Sequence, residues 1–192
     1  MVIGDSYTMG PDDNPDDPDA WPAIAFNRLR EQKYVVQDTV AGEGGAGYVE
    51  QGYRGGVFGD KVSAVQPKTD VVVLFGSAND IGAEPRQERA AVRQTLMQVR
   101  SIAPAARMVV IGPVWPRAND VPAQLLGIRD AIRDEAVAAG ATFADPLQQR
   151  WLWEDPGLIG PDWLHPNRSG QRYLADRILP LLQAELPVPG NA

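Results

Sequence analysis

The chain has 192 residues, enough for one domain with a sizeable core, and its 44% hydrophobic and 22% charged content is that of an ordinary globular protein. Acidic residues outnumber basic ones 25 to 18, for a net charge of −7, and no dense Lys/Arg run is present; this excludes a nucleic-acid binder built on a basic patch. No cysteine occurs, which excludes disulfides, zinc thiolates and cysteine nucleophiles, and the single histidine excludes a multi-histidine metal centre. No apolar run is long enough to span a membrane.

In chain order, the first predicted element is a very short strand over Met1–Ile3. A helix is expected to open at Asp19 as N-cap, with Pro22 in its first turn. Tyr34–Val36 is a weak strand candidate. Val71–Phe75 is a continuous β-branched and apolar run, the pattern of a strand buried on both faces of a parallel sheet, and Met108–Ile111 repeats it. Between and after these, Val92, Leu96, Val99 and Ala103, then Leu125, Ile128, Ile132, Ala136 and Ala139, recur at helical spacing. Ala141–Ala144 is another weak strand. Leu174, Ile178 and Leu181 mark a last helix, which Pro180 is expected to kink or end.

This alternation predicts a three-layer α/β domain with right-handed crossovers. No repeat, linker or composition shift divides it, so one domain is expected over 1–186, with 187–192 as a frayed tail. The start shows no basic segment followed by an apolar core, so either a cytosolic protein or one whose leader has been removed is expected.

Two loops stand apart. Residues 11–19 hold five Asp and three Pro. They read as a solvated, Pro-stiffened loop; a Ca²⁺ loop is the sharper alternative, although the EF-hand spacing is missing. Residues 42–59 are rich in Gly, so irregular backbone is expected there. Within them Gly42-x-Gly44-x-x-Gly47 spells the dinucleotide fingerprint, but no helix-forming segment follows it, and nucleotide binding is set aside.

Four places carry chemistry. Ser6, in Gly4-Asp5-Ser6, lies where the first strand leaves the sheet at its carboxyl end, where ligands bind in open α/β sheets. His165 is the sole candidate general base of the usual type; Asp162, three residues earlier, can hydrogen-bond one ring nitrogen and leave the other as base. Asn79, after the strongest strand, can aim a neutral N–H donor at a developing oxyanion. Gly42 follows the second β-like run, where a glycine lets a backbone N–H face a ligand.

In this order, the four motifs resemble the SGNH (GDSL-type) hydrolase family over nearly the whole chain, from Val2 to about Leu182. The resemblance implies a flavodoxin-like sheet of five parallel strands and no cofactor or metal. It makes Ser6 the nucleophile, His165 the base and Asp162 its orienting acid. It places the oxyanion hole at the Ser6 and Gly42 backbone N–H groups and the Asn79 side chain, with Gly44 or Gly45 open in place of Gly42. The first motif departs from the usual pattern in carrying Tyr7 where Leu often follows Ser. The nucleophile elbow of the α/β-hydrolases is absent, since Thr8 occupies the position of its second Gly.

The expected activity is hydrolysis of carboxylic esters with short acyl chains through an acyl-enzyme, on a small-molecule or saccharide ester. Tyr7, Trp115 and Trp163 are candidate substrate contacts. Trp151 and Trp153, two apart, share a face if their segment is extended. An acyltransferase using the same site and a non-catalytic carbohydrate-binding domain are the alternatives. The excess of arginine over lysine, 15 to 3, and the abrupt start favour an exported protein, a reading that leans on the likeness to secreted bacterial members of that family. The oligomeric state is not legible.

Overall fold

A computed structural model describes residues 1–10, 12–117 and 120–187. Five strands, β1 (Val2–Gly4), β2 (Val40–Gly42), β3 (Val71–Phe75), β4 (Arg107–Ile111) and β5 (Thr142–Ala144), form one parallel sheet in the order β2-β1-β3-β4-β5. The helices are α1 (Ser6–Met9), α2 (Trp21–Glu31), α3 (Phe58–Lys61), α4 (Pro85–Ile102), α5 (Ala123–Ala138) and α6 (Arg168–Glu185).

The period of two along a strand divides the sheet's side chains between two cores. Val71, Val73 and Phe75 of β3 face α2 and α6, together with Val109 and Ile111 of β4. Val72 and Leu74 face the other way with Ile3, Met108 and Val110, against α4 and α5. Both faces of β3 are therefore covered, which is why its sequence is a continuous apolar run. The result is the three-layer α/β domain that the alternation predicts, with the flavodoxin-like parallel sheet that the resemblance implies.

The chain leaves β1 to one side for β2 and returns to the other side for β3. Gly4 is in register with both Gly42 and Phe75, so the carboxyl ends of three adjacent strands meet in one row at this switch point. The space above Gly4 is minimal: a Cβ there would lie 2.1 Å from Thr8 Oγ1 and 2.8 Å from the Phe75 carbonyl. Only glycine lets β1 turn so sharply into α1.

Several expectations need correction. The first strand is Val2–Gly4, one residue later than expected. Tyr34–Val36 is not a strand, and Val35 is almost fully exposed; the edge strand is the less apolar Val40–Gly42. The N-cap of α2 is Ala20, without a side-chain cap, while Asp19 instead pairs with Arg168 at 3.1 Å. Pro180 lies inside α6 without ending it. It stands on the exposed face, so the Asp176 carbonyl it leaves without an N–H donor is on the solvent side. Of that helix's apolar positions, Leu182 rather than Leu181 is buried. Of the expected tail, 188–192 lie outside the described residues, as does Pro11 of the acidic loop.

Phe75 closes the sheet under the carboxyl end, edge-on to Tyr7, Trp21 and Trp151 at centroid distances of 6.5, 5.9 and 6.4 Å. Phe75→Ala is expected to lower stability by about 3–5 kcal/mol, measured as a shift of the urea midpoint.

Candidate active site

The short helix α1 begins with Ser6 because Asp5 caps it. The buried Asp5 carboxylate accepts from the Tyr7 N–H at 2.9 Å, and it also accepts from the Ser77 N–H at 3.3 Å, across the row from β3. Burial pushes its carboxyl up to about 6 despite those two N–H donors. Ser6 itself is half-buried, and its own N–H, first in the helix, has no intrahelical acceptor.

The loop before α6 brings the distant partners. His165 Nε2 lies 3.0 Å from Ser6 Oγ, and His165 Nδ1 lies 2.6 Å from Asp162 Oδ2. Asp162 Oδ1 accepts the N–H groups of Leu164 and His165 at 3.0 and 3.1 Å, which folds the four residues into a tight turn around the carboxylate. The hydrogen bond from His165, then the Leu164 N–H, hold the Asp162 carboxyl down at about 2. Pro166 ends the turn, and Asn167 caps α6 by accepting from the Ser169 and Gly170 N–H groups.

On the other side of Ser6, Asn79 follows β3 in a 3₁₀ turn over Ala78–Gly82, and its carboxamide donates to the Ala46 carbonyl at 2.9 Å, leaving one N–H of the amide. Gly42 ends β2. Because Val2 N–H donates to the Thr39 carbonyl and Glu43 N–H to that of Gly4, strand alternation turns the Gly42 amide away from β1 and out of the ladder. The Gly44 amide is already taken: it donates to Asp13 Oδ1 at 2.9 Å.

The acidic loop has a structural role here. Asp13 also pairs with Arg54 at 2.8 Å, and Arg54 reaches the Gly42 carbonyl at 3.1 Å. Among the described residues, no group of three or more acidic or histidine side chains is placed to hold a metal.

The expected substrate contacts separate. Tyr7 is buried, and its hydroxyl donates to the Leu164 carbonyl at 2.6 Å, so it tethers the histidine loop rather than lining an open cleft. Trp115 is half-buried, its carbonyl accepting from Trp153 Nε1 at 2.5 Å. Trp151 is in the core and Trp153 is not on its face, because Arg150 and Leu152 take positive φ and the segment turns. Trp163 alone is open, 69% exposed, two residues before His165. Sequence reasoning missed Tyr7 as a tether, since nothing in Asp-Ser-Tyr announces a contact 157 residues away.

A parallel α/β/α sandwich with this Ser6–His165–Asp162 line at the carboxyl edge has the architecture of a serine hydrolase acting on ester bonds. The sequence profile of the GDSL-like lipase/acylhydrolase family matches residues 2–173, and the chain belongs to that family. A GDSL lipase of Mycobacterium tuberculosis is 44% identical over 189 residues, spanning 96% of this chain and 81% of the relative. Among solved structures, TesA superposes with a TM-score of 0.79 at 19% identity, over 96% of this chain and 98% of its own. The lipase/acylhydrolase of Enterococcus faecalis does so with a TM-score of 0.75 at 17% identity, over 100% and 98%.

Tyr7→Phe removes the hydroxyl that donates to the Leu164 carbonyl. Stability is expected to fall by about 1–2 kcal/mol in urea unfolding, and kcat with it, while KM stays unchanged.

Proposed function

We propose that the chain is a carboxylesterase of short acyl chains that works through a Ser6 acyl-enzyme. The observation that carries this reading is the unbroken line of hydrogen bonds from Asp162 Oδ2 through the His165 ring to Ser6 Oγ. Asp162 fixes the tautomer with the proton on Nδ1, which leaves the Nε2 lone pair facing the Ser6 hydroxyl. His165 takes that proton as Ser6 Oγ attacks the ester carbonyl. The tetrahedral oxyanion is received by the free N–H groups of Ser6 and Gly42 and by the remaining N–H of Asn79. His165 then protonates the leaving alcohol, and water repeats the sequence on the acyl-enzyme. Gly42 is preferred over Gly44 because the Gly44 amide donates to Asp13.

The preference for short acyl chains rests on the described elements, which leave few residues to form a lid over Ser6. Trp163 is assigned to the substrate's apolar or planar part, because it holds a left-handed backbone, φ 57°, while exposing its side chain two residues before His165 in the chain. Such a conformation costs a non-glycine residue about 1 kcal/mol or more and is retained where the side chain has a use.

The test is a series of p-nitrophenyl esters, from acetate through butyrate and octanoate to palmitate, with wild type and Ser6→Ala. Hydrolysis is expected to favour the short esters and to vanish in Ser6→Ala; activity that persists in the variant, or that peaks at palmitate, overturns the reading. Asn79→Ala should lower kcat by about 10²–10³. Trp163→Gly should raise KM several-fold with the thermal midpoint unchanged or higher, since glycine suits that backbone.

A further inference from the structure

Behind Asn79 lies a cluster of polar side chains that the chemistry above does not use. Ser77, Asp80 and Glu88 are all buried, exposed by 1% or less. Asp80 accepts three consecutive backbone N–H groups, those of Tyr48, Val49 and Glu50, at 2.7, 3.1 and 2.6 Å, and the Ser77 hydroxyl donates to it as well. Gly47 makes this grip possible: a Cβ at that position would lie 2.3 Å from both Asp80 carboxylate oxygens. The neighbouring Asn79 holds the same loop by its Ala46 carbonyl. Two adjacent residues therefore fasten one loop, one through a carbonyl and the other through amides.

Glu88, in the first turn of α4, stands against this junction. Its Oε1 is 3.4 Å from Ser77 Oγ, the hydroxyl that donates to Asp80, and its Oε2 has no hydrogen-bond partner among the described residues. Neither acid is in an ion pair among the described residues. The other titratable groups facing the cluster offer no cation. Tyr48 contributes a buried phenol without a partner, and Asp5 lies beyond the Ser77 backbone. On α5, Glu135 and Asp134 are engaged by Arg93 and Arg89, and Lys61 of α3 is engaged by Glu43. Asp80 already accepts from four donors, whereas Glu88 Oε2 has none. A proton on Glu88 supplies the donor the pair lacks.

We infer that Glu88 is a positioning residue for Asn79: as a neutral acid it donates to Asp80, and the pair fixes the 46–50 loop against which the Asn79 carboxamide is set. The inference rests on the reading of Asn79 as an oxyanion donor. Burial, then the Asp80 charge and the hydrogen bond with it, push the Glu88 carboxyl up to about 9. The acid is therefore neutral at neutral pH, and its ionisation above that value sets a second negative charge beside Asp80. The sign of the linkage follows from the raised value. The contribution of Glu88 to stability is full below the unfolded carboxyl range and is lost as pH rises towards about 9.

The experiment is the pH profile of kcat and KM on p-nitrophenyl butyrate, spontaneous hydrolysis subtracted, for wild type, Glu88→Gln and Glu88→Ala, with thermal midpoints across the same range. Glu88→Gln keeps a neutral donor. It is expected to match wild type at neutral pH, to lack the wild-type fall in kcat near pH 9, and to lose less thermal stability as pH rises. Glu88→Ala is expected to lose about tenfold or more in kcat with little change in KM, towards the ~10²–10³ that removal of an oxyanion donor costs. Should Glu88→Ala fail to fold, the Glu88→Gln profile decides alone. An alkaline limb in Glu88→Gln identical to wild type, or full kcat in a folded Glu88→Ala, overturns the inference. Either result together with Ser6-dependent hydrolysis leaves the esterase reading standing, whereas hydrolysis that survives Ser6→Ala removes that reading itself.

Discussion

The row formed by Gly42, Gly4 and Phe75 is a place where three strands end together and each following segment must turn off the sheet. Asp5 resolves this. Its carboxylate sits just past Gly4, buried, and accepts one N–H from the helix that begins with Ser6 and one from the loop that follows β3. Gly76 must be glycine for the same contact, since a Cβ there would lie 2.3 Å from Asp5 Oδ2, on a backbone at φ 131°. The direction in which Ser6 leaves the sheet and the position from which Asn79 departs are thus fixed by one side chain. That geometry is maintained against the cost of burying a charge, which is why the Asp5 carboxyl is raised to about 6.

The same device recurs around the site. Asp80 gathers the 48–50 amides, Asp162 gathers those of Leu164 and His165, and Asp13 takes the Gly44 amide. Glu43, also buried, accepts from the Arg54 and Gly56 N–H groups and from Lys61. Glycine-rich loops leave many backbone donors without partners and lose much conformational entropy on ordering. Short acidic side chains satisfy those donors, and part of the chain's acidic excess is spent in this way.

How much of this was legible depended on whether the signal was local. The strands β3 and β4 and the helices α4 and α5 were readable because burial on both faces, or on one helical stripe, writes a run or a period into the sequence. The edge strand β2 was not. It is three residues long and only partly buried, so the more apolar Tyr34–Val36 drew attention away from it, although Val35 lies in solvent. Pro180 does not end α6, because packing of α6 against α2 outweighs one missing hydrogen bond on an exposed face. In the site, Ser6, Asp162, His165 and Asn79 stood out by motif order. Tyr7 was misassigned because a tyrosine beside a serine reads as a cleft residue until its hydroxyl is seen on Leu164. Glu88 carried no sequence signal at all: in a helix's first turn, a glutamate ordinarily answers the helix dipole in water.

The acids that shape the site are held mostly by neutral N–H dipoles, whereas those on the surface are held by arginine, as in Arg28–Asp176 and Arg89–Asp134. Dissolved ions screen exposed pairs of opposite charge strongly, and buried carboxylate–amide contacts hardly at all. Rising ionic strength would therefore loosen the outer helices' cross-links long before it disturbed the buried Asp5 and Asp80 contacts from which Ser6 and Asn79 are set.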